Sequence, residues 1–160
     1  MSDAAEFVPP PPFDPGALRA PALRRLHAYW MQKAAGRDMP ARADIDPVEI
    51  PWALRFLSLI DVEPGGEFRF RLDAVGTADF FKRDMTGKTL ADYPFPERAH
   101  FMRAGYAHVV ARRTPLYAIR DFAIEFRRWR YEILLLPLSE PDRPVDIIMS
   151  MLQIFDEIRE

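Results

Sequence analysis

Cysteine is absent from the 160-residue chain, and this absence excludes several kinds of chemistry at once. Without a thiol there is no disulfide, no thiolate nucleophile, and no zinc or iron–sulfur centre held by cysteine. Glycine is also scarce, with 7 glycines against 16 prolines. No glycine-rich turn leads into a Lys-Ser/Thr helix start, so the sequence lacks a phosphate-binding loop.

The chain also lacks an excess of charge of either sign. Its 22 Lys and Arg residues against 24 Asp and Glu residues give a net charge of −2, so no overall positive field attracts nucleic acid or an anionic membrane. The run of about 18 apolar residues that a membrane span requires is missing, and so is the start of an export signal. We therefore expect no nucleic-acid partner, no membrane span and a cytoplasmic location.

What is present is enough apolar material for one core. The chain is 49% hydrophobic, and its length suits one ordinary domain. Pro9 to Pro12 and Pro15 favour extended polyproline structure, which leaves little to pack. We predict that residues 1–20 are a disordered proline-rich tail, with a docking peptide as the alternative, and that residues 21–160 form a single domain.

The first half of that domain predicts one helix and a hairpin. Helical spacing of apolar residues begins at Pro21, and Gly36 gives a stop. Two runs with strand character follow, Phe56 to Val62 and Phe68 to Val75, joined by a proline-glycine turn. Gly76-Thr77 is interpreted as the turn that ends this hairpin.

The second half predicts helices followed by three strands. Residues 78–93 favour two short helical segments, and Pro96 opens a long helix that ends near Arg112-Arg113. The predicted strands are Leu116 to Phe126, Arg128 to Leu138 and Val145 to Phe155. The last two strands are apolar at both alternating sets of positions, which is typical of central strands covered on both faces. The fold class is therefore α+β: a five-stranded antiparallel sheet with helices over one face, and an N-terminal helix that covers the other face or meets a second copy.

Several stretches, in this order, resemble the PAS sensor family and within it short stand-alone bacterial PAS proteins. They are Leu26 to Trp30 (LHAYW), Ala43 to Pro51 (ADIDPVEIP), Phe56 to Pro64 (FLSLIDVEP), Phe68 to Thr77 (FRFRLDAVGT), Lys82 to Lys88 (KRDMTGK) and Trp129 to Ser139 (WRYEILLLPLS). The resemblance covers about Leu23 to Phe155. In the family an Asp-Gly pair usually precedes the Trp129 segment, whereas this chain reads Phe126-Arg127-Arg128.

The resemblance implies a regulatory sensor or adaptor rather than an enzyme. It implies a signalling protein partner in trans, a small ligand held in an apolar pocket if one binds, and a homodimer. From apolar parity and the family's architecture, the expected pocket residues are Phe70, Phe81, Met85, Leu90, Met102, Tyr106, Tyr117, Tyr131 and Met149.

The sequence does not identify a cofactor. The missing thiol excludes a cysteinyl flavin adduct, and few residues are candidate ligands for haem. Haem-binding members take an iron ligand from the helix before the third strand, where this chain has His100 and His108. Eight residues at about 100° each place the two histidines roughly 80° apart around the helix. We interpret both as ordinary surface or boundary residues, and we assign no metal.

Two alternatives to a ligand-binding sensor stay open. The first is a ligand-free interaction module whose interior is filled by Phe80, Phe81, Phe101 and Phe122. The second is a small cone-shaped α+β enzyme that joins a carboxylate and a tyrosine in one pocket. Its candidate residues are Asp61, Asp73, Asp121, Tyr106, Tyr117 and Tyr131.

Overall fold

The computed structural model describes residues 6–158, with side chains up to Phe155. Three helices lie in that range: α1 (Pro21–Ala34), α2 (Val75–Phe81) and α3 (Pro96–Arg112). The five strands are β1 (Leu57–Val62), β2 (Phe68–Leu72), β3 (Leu116–Ile124), β4 (Arg127–Leu138) and β5 (Ile147–Ile158). They form one antiparallel sheet in the order β2-β1-β5-β4-β3. The predicted α+β fold is thereby confirmed.

The two long helices begin and end where the sequence predicts. Pro21 and Pro96 each occupy the first helical turn, where a missing backbone N–H costs nothing. Each helix is followed by a residue in the left-handed conformation: Ala35 with φ 51° after α1 and Arg113 with φ 58° after α3. None of the helices in residues 6–158 has the length and apolar character to cross a membrane.

Helix α2 begins where the sequence predicted only a turn. Gly76 and Thr77 lie inside α2 rather than ending the hairpin. A Cβ on Gly76 would lie 2.7 Å from the ring of Phe56 and 2.8 Å from the carbonyl oxygen of Arg55. The prediction of a turn here is wrong. Gly76 is needed because α2 packs too closely against the backbone of Arg55 to leave room for a side chain, and the chain does not change direction there.

The sheet is covered on both faces by the same chain. We call the face under α2 and α3 the inner face and the other the outer face. Helix α1 packs on the outer face through Leu23, Leu26 and Trp30, and the Trp30 indole N–H donates to the carbonyl oxygen of Pro137 at 2.9 Å. The apolar side of α1 is thus buried within the chain, and the homodimer stays a prediction.

The outer face also holds the end of the proline-rich segment. Leu18 and Ala20 are buried, and the carboxylate of Glu132, itself 2% exposed, accepts hydrogen bonds from the backbone N–H groups of Arg19 at 3.0 Å and Ala20 at 3.1 Å. Glu132 also accepts a hydrogen bond from the Tyr117 hydroxyl. Packing therefore begins before Pro21, where the sequence placed the domain start. Disorder of the preceding residues stays a prediction, and residues 1–5 lie outside the described part.

The turn between β3 and β4 departs from ordinary turn chemistry. Ile124 pairs with Arg127, so Glu125 and Phe126 form a two-residue loop in which both have positive φ, 49° and 67°. Hairpin loops of this kind favour Asn-Gly or Asp-Gly, because side chains with a Cβ are strained there. The Phe126 side chain is fully exposed. The tight turn predicted around Arg127 is present, one residue earlier and without the family's Asp-Gly pair.

We expect replacement of Glu132 by alanine to destabilise the protein by about 3 kcal/mol, because it leaves two backbone N–H groups and a tyrosine hydroxyl without their acceptor. Glu132→Gln keeps an acceptor oxygen and should lose much less. Urea denaturation of the two variants and the parent measures the difference. Equal stability of Glu132→Ala and Glu132→Gln would contradict this role of the carboxylate.

We expect the double substitution Glu125→Asn with Phe126→Gly to stabilise the protein by about 1 kcal/mol, since it relieves two left-handed residues that carry large side chains. For a chain of this length that gain corresponds to a rise in Tm of roughly 2–4 °C. Thermal unfolding followed by circular dichroism checks it. A lower Tm would mean that the Phe126 side chain contributes more than its strained backbone costs.

Candidate ligand groove between helix α3 and the sheet

A groove of about 490 Å³ lies on the inner face, between α3 and strands β3 and β4. Its apolar walls are Phe95, Phe101, Met102, Gly105 and Tyr106 from the helical side and Leu116, Ala118, Phe122, Tyr131, Ile133 and Leu135 from the strands. Alternation along a strand brings every second residue to one face. The groove stays open because small residues stand in both walls, Gly105 on the helix and Ala118 on the strand.

The groove contains three of the nine residues predicted for the pocket, namely Met102, Tyr106 and Tyr131. A second cavity of about 30 Å³, with room for about two water molecules, is lined by Phe70, Phe81 and Met85 and shares Phe95, Arg98 and Met102 with the groove. Leu90 is fully buried in the core and lines neither space.

Two of the nine predicted residues lie on the wrong face of the sheet. Tyr117 lies between the groove residues Leu116 and Ala118, points to the outer face and bonds to Glu132. Met149 pairs with Leu136 and is fully buried on the same outer face. These strands carry apolar residues at both parities, so the sequence pattern did not distinguish inward from outward positions.

Arg98, which the sequence did not single out, is a charged residue in the wall of the groove. Its guanidinium carbon lies 3.7 Å from the ring centroid of Phe81 and 4.8 Å from that of Phe122. One of its terminal nitrogens donates to the Tyr131 hydroxyl at 3.1 Å. These contacts are cation–π interactions with a hydrogen bond added. The position of Arg98 in the first turn of α3, beside the apolar face, was the available signal.

Asp73 is the buried carboxylate beneath the small cavity. It is 8% exposed and accepts hydrogen bonds from the Ser58 hydroxyl at 3.2 Å and from the backbone N–H of Met85 at 3.0 Å. Ser58 in turn accepts from the Ala74 backbone. Burial raises the pKa of Asp73 above its usual value, against the lowering effect of these hydrogen bonds. Asp73, which directly follows β2, thus links Ser58 on β1 to Met85 in the loop after α2.

Of the carboxylates and tyrosines proposed for an enzyme, Asp121, Tyr106 and Tyr131 line the groove, whereas Asp61, Asp73 and Tyr117 do not. Asp61 pairs with Arg71 and Asp121 with Arg130 across neighbouring strands, while Asp73 is held by Ser58 and Met85. Burial and the contact with Glu132 raise the pKa of Tyr117 to about 12, but Tyr117 lies on the outer face. Burial likewise raises the pKa of Tyr106 far above its ordinary value. Both hydroxyls therefore keep their protons near neutral pH.

The histidines do not fit an iron centre in the groove. His100 is exposed, and His108 lies beside Phe7 on the side of the proline-rich segment. No histidine lines the groove, and the described side chains, those of residues 6–155, include no cluster of three His, Asp or Glu residues that could hold a metal. The groove therefore offers no imidazole ligand for haem.

Comparison with known proteins adds the family. The model of the PAS domain family matches residues 18–153. The PAS domain of Bordetella pertussis BvgS superposes with a TM-score of 0.53 at 21% identity over 69% of this chain and 83% of that one. A domain of an HTR-like protein from Haloarcula marismortui gives a TM-score of 0.43 at 12% identity over 62% and 96%. No curated protein matches the sequence significantly.

The raised pKa of Asp73 makes its contribution to stability depend on pH. A carboxyl with a higher pKa in the folded state favours folding fully below its unfolded-state pKa, and this contribution is lost as the pH rises through the folded-state pKa. Asp73→Asn can keep the bond to Met85 through its amide oxygen, while its NH2 group donates to Ser58 in place of the bond that the Ser58 hydroxyl donates to Asp73. The stability of this variant relative to the parent should therefore increase as the pH rises from about 4 to about 7.

Urea denaturation of both proteins across that pH range measures the difference. A difference that does not vary with pH, or that falls as the pH rises, would contradict the raised pKa. Asp73→Ala serves as the control for the hydrogen bonds. We expect it to be less stable than Asp73→Asn at every pH, because the Met85 N–H loses its acceptor.

Proposed function

Because this chain belongs to the PAS domain family, whose members are typically sensory or interaction modules rather than enzymes, we propose that it is a sensor for a small apolar ligand. The ligand binds in the groove between α3 and strands β3 and β4. The bound state is then passed to a signalling partner in trans. The single observation that carries this proposal is the groove itself, whose volume of about 490 Å³ lies within the range of small-molecule sites.

The competing proposal is an interaction module with a filled interior. The side chains fill the space between the helices and the sheet at only one end of the inner face. Next to α2, Phe81 contacts Phe80, Phe122 and Tyr131 edge to face and leaves little space. Towards the middle of α3 the inner face is open, and Phe101 lines the groove rather than filling it. The open part supports a ligand that occupies the α3 side of the sheet.

A route for the signal runs through β4 to the outer face. Tyr131 and Ile133 line the groove, while Glu132 between them points to the opposite face and holds the backbone of Arg19 and Ala20. A ligand that moves this stretch of β4 also moves the acceptor of the N-terminal segment. The ligand shifts such an equilibrium only by its difference in affinity for the two arrangements.

We expect Gly105→Leu to abolish binding of an eight-carbon alkyl probe by filling the groove. A Cβ at Gly105 meets only the Leu135 side chain, at 3.8 Å, so a larger side chain can extend into the open space. Octanol and octanoate, below their aggregation concentrations, are the probes, and calorimetry and NMR titration are the measurements. In the parent protein we also expect the amide signals of Arg19 and Ala20 to shift on binding.

Gly105→Ala is the matched control. It adds one methyl group, leaves most of the groove open, and should stabilise α3 by up to about 1 kcal/mol through its higher helix propensity. It should bind the probes as the parent does. Binding of neither probe to the parent, or undiminished binding to Gly105→Leu, would overturn the proposal of an apolar ligand in this groove.

A further inference from the structure

Arg98 places a permanent positive charge in the wall of the apolar groove. Arginine keeps its proton at every pH that a protein experiences. In the part of the chain that the structure describes, its Nε atom is buried and has no hydrogen-bond partner. Buried polar atoms in folded proteins are nearly always paired with protein or with ordered water, so this N–H needs an acceptor that the described residues do not supply.

The surroundings of Arg98 stabilise its charge without neutralising it. Phe81 and Phe122 contact the guanidinium through their ring faces, and the Tyr131 hydroxyl accepts one hydrogen bond from it. Among the side chains that the structure describes, those of residues 6–155, no carboxylate forms an ion pair with Arg98. The buried carboxylate in this region, Asp73, has its oxygens on Ser58 and on the Met85 backbone, and Arg98 acts on it only as a nearby positive charge that lowers its pKa.

The position of Arg98 relative to the apolar walls suggests the shape of what fits. Arg98 and Gly105 both line the groove, and seven residues along α3 correspond to about 10 Å. Beyond Arg98 the walls are the apolar side chains of Met102, Leu116 and Leu135. The site therefore combines one cationic end with an apolar trough of that length.

We infer that the groove takes an amphipathic carboxylate, whose anionic group pairs with the Arg98 guanidinium and whose apolar body of about 10 Å lies along α3 towards Gly105. The inference rests on the proposed function, since it names the chemical class of the ligand for that same groove. A planar carboxylate suits the planar donor set of arginine and supplies the negative charge that no carboxylate among the described side chains brings to Arg98.

The rim of the groove carries charge of both signs and does not select an anion by itself. Arg120 and Glu97 are exposed there, and Asp121 is paired with Arg130. Exposed charges are weakened by water and salt. The preference for a carboxylate is therefore assigned to Arg98, in the less exposed wall.

The test compares ligands that differ only in their head group. Calorimetry should give octanoate an affinity at least about tenfold higher than that of octanol, since a charge-assisted hydrogen bond contributes more than a neutral one. Octylammonium should bind more weakly than octanol. In Arg98→Met, which keeps a long apolar side chain but no charge, octanoate should fall to the affinity of octanol, while octanol binds as in the parent.

The control variant is Arg103→Met, which removes the same charge from the same helix. Arg103 pairs with Glu67 and does not line the groove, so octanoate should bind this variant as tightly as the parent. Unchanged octanol binding by Arg98→Met also shows that the groove of this variant is intact.

The outcomes separate the inference from the proposed function. Equal affinity of octanoate and octanol for the parent, or equal loss of octanoate in Arg98→Met and Arg103→Met, would overturn the carboxylate ligand and leave an apolar ligand in place. If Arg98→Met loses both probes alike, the role of the charge is likewise overturned. Binding of neither probe to the parent would overturn the proposed function and the inference together.

Discussion

Strands β4 and β5 carry apolar side chains on both of their faces, and the need to keep both faces from water determines the architecture. Leu134 and Leu136 face α1, while Leu135 faces α3. A sheet of this kind must be covered by two layers. The chain supplies one layer before the sheet, from Leu18 through α1, and the other from the insert between β2 and β3.

The two layers are not equally complete, and the candidate site lies where the inner layer is incomplete. On the outer face Trp30 and Leu26 pack closely against the strands. On the inner face α2 and its aromatic residues fill one end, but α3 meets β3 and β4 with Gly105 opposite small and medium side chains. The helices do cover the sheet here, so the groove is open because the side chains between α3 and the strands are too small to fill the space.

Three polar side chains, the buried Glu132 and Asp73 and the half-buried Arg98, differ in whether the chain supplies all their partners. Glu132 on the outer face accepts hydrogen bonds from Arg19, Ala20 and Tyr117 and ties a segment to the sheet. Asp73 on the inner face also has its partners within the chain. Arg98 does not: aromatic faces and one hydroxyl stabilise it, and Nε is left over. Satisfied groups of this kind hold the fold, whereas the unpaired Nε of Arg98 is a donor still open to a water molecule or a ligand.

The sequence by itself determined the two long helices, the strands and the family, but not α2. Prolines at Pro21 and Pro96 and the alternation along β2 mark local preferences that need no tertiary partner, and the order of motifs predicted the PAS fold. Only the tertiary structure decided which strand residues face the groove. In β3 and β5 both alternating sets of positions carry apolar residues. Only the pairing of Tyr117 with Leu134 and of Met149 with Leu136 shows on which face of the sheet they lie. The same holds for Arg98, whose aromatic contacts come from Phe81 on α2 and Phe122 on β3. Residues this far apart in the sequence come into contact only when the helices pack on the sheet, so a local sequence pattern cannot predict the contact.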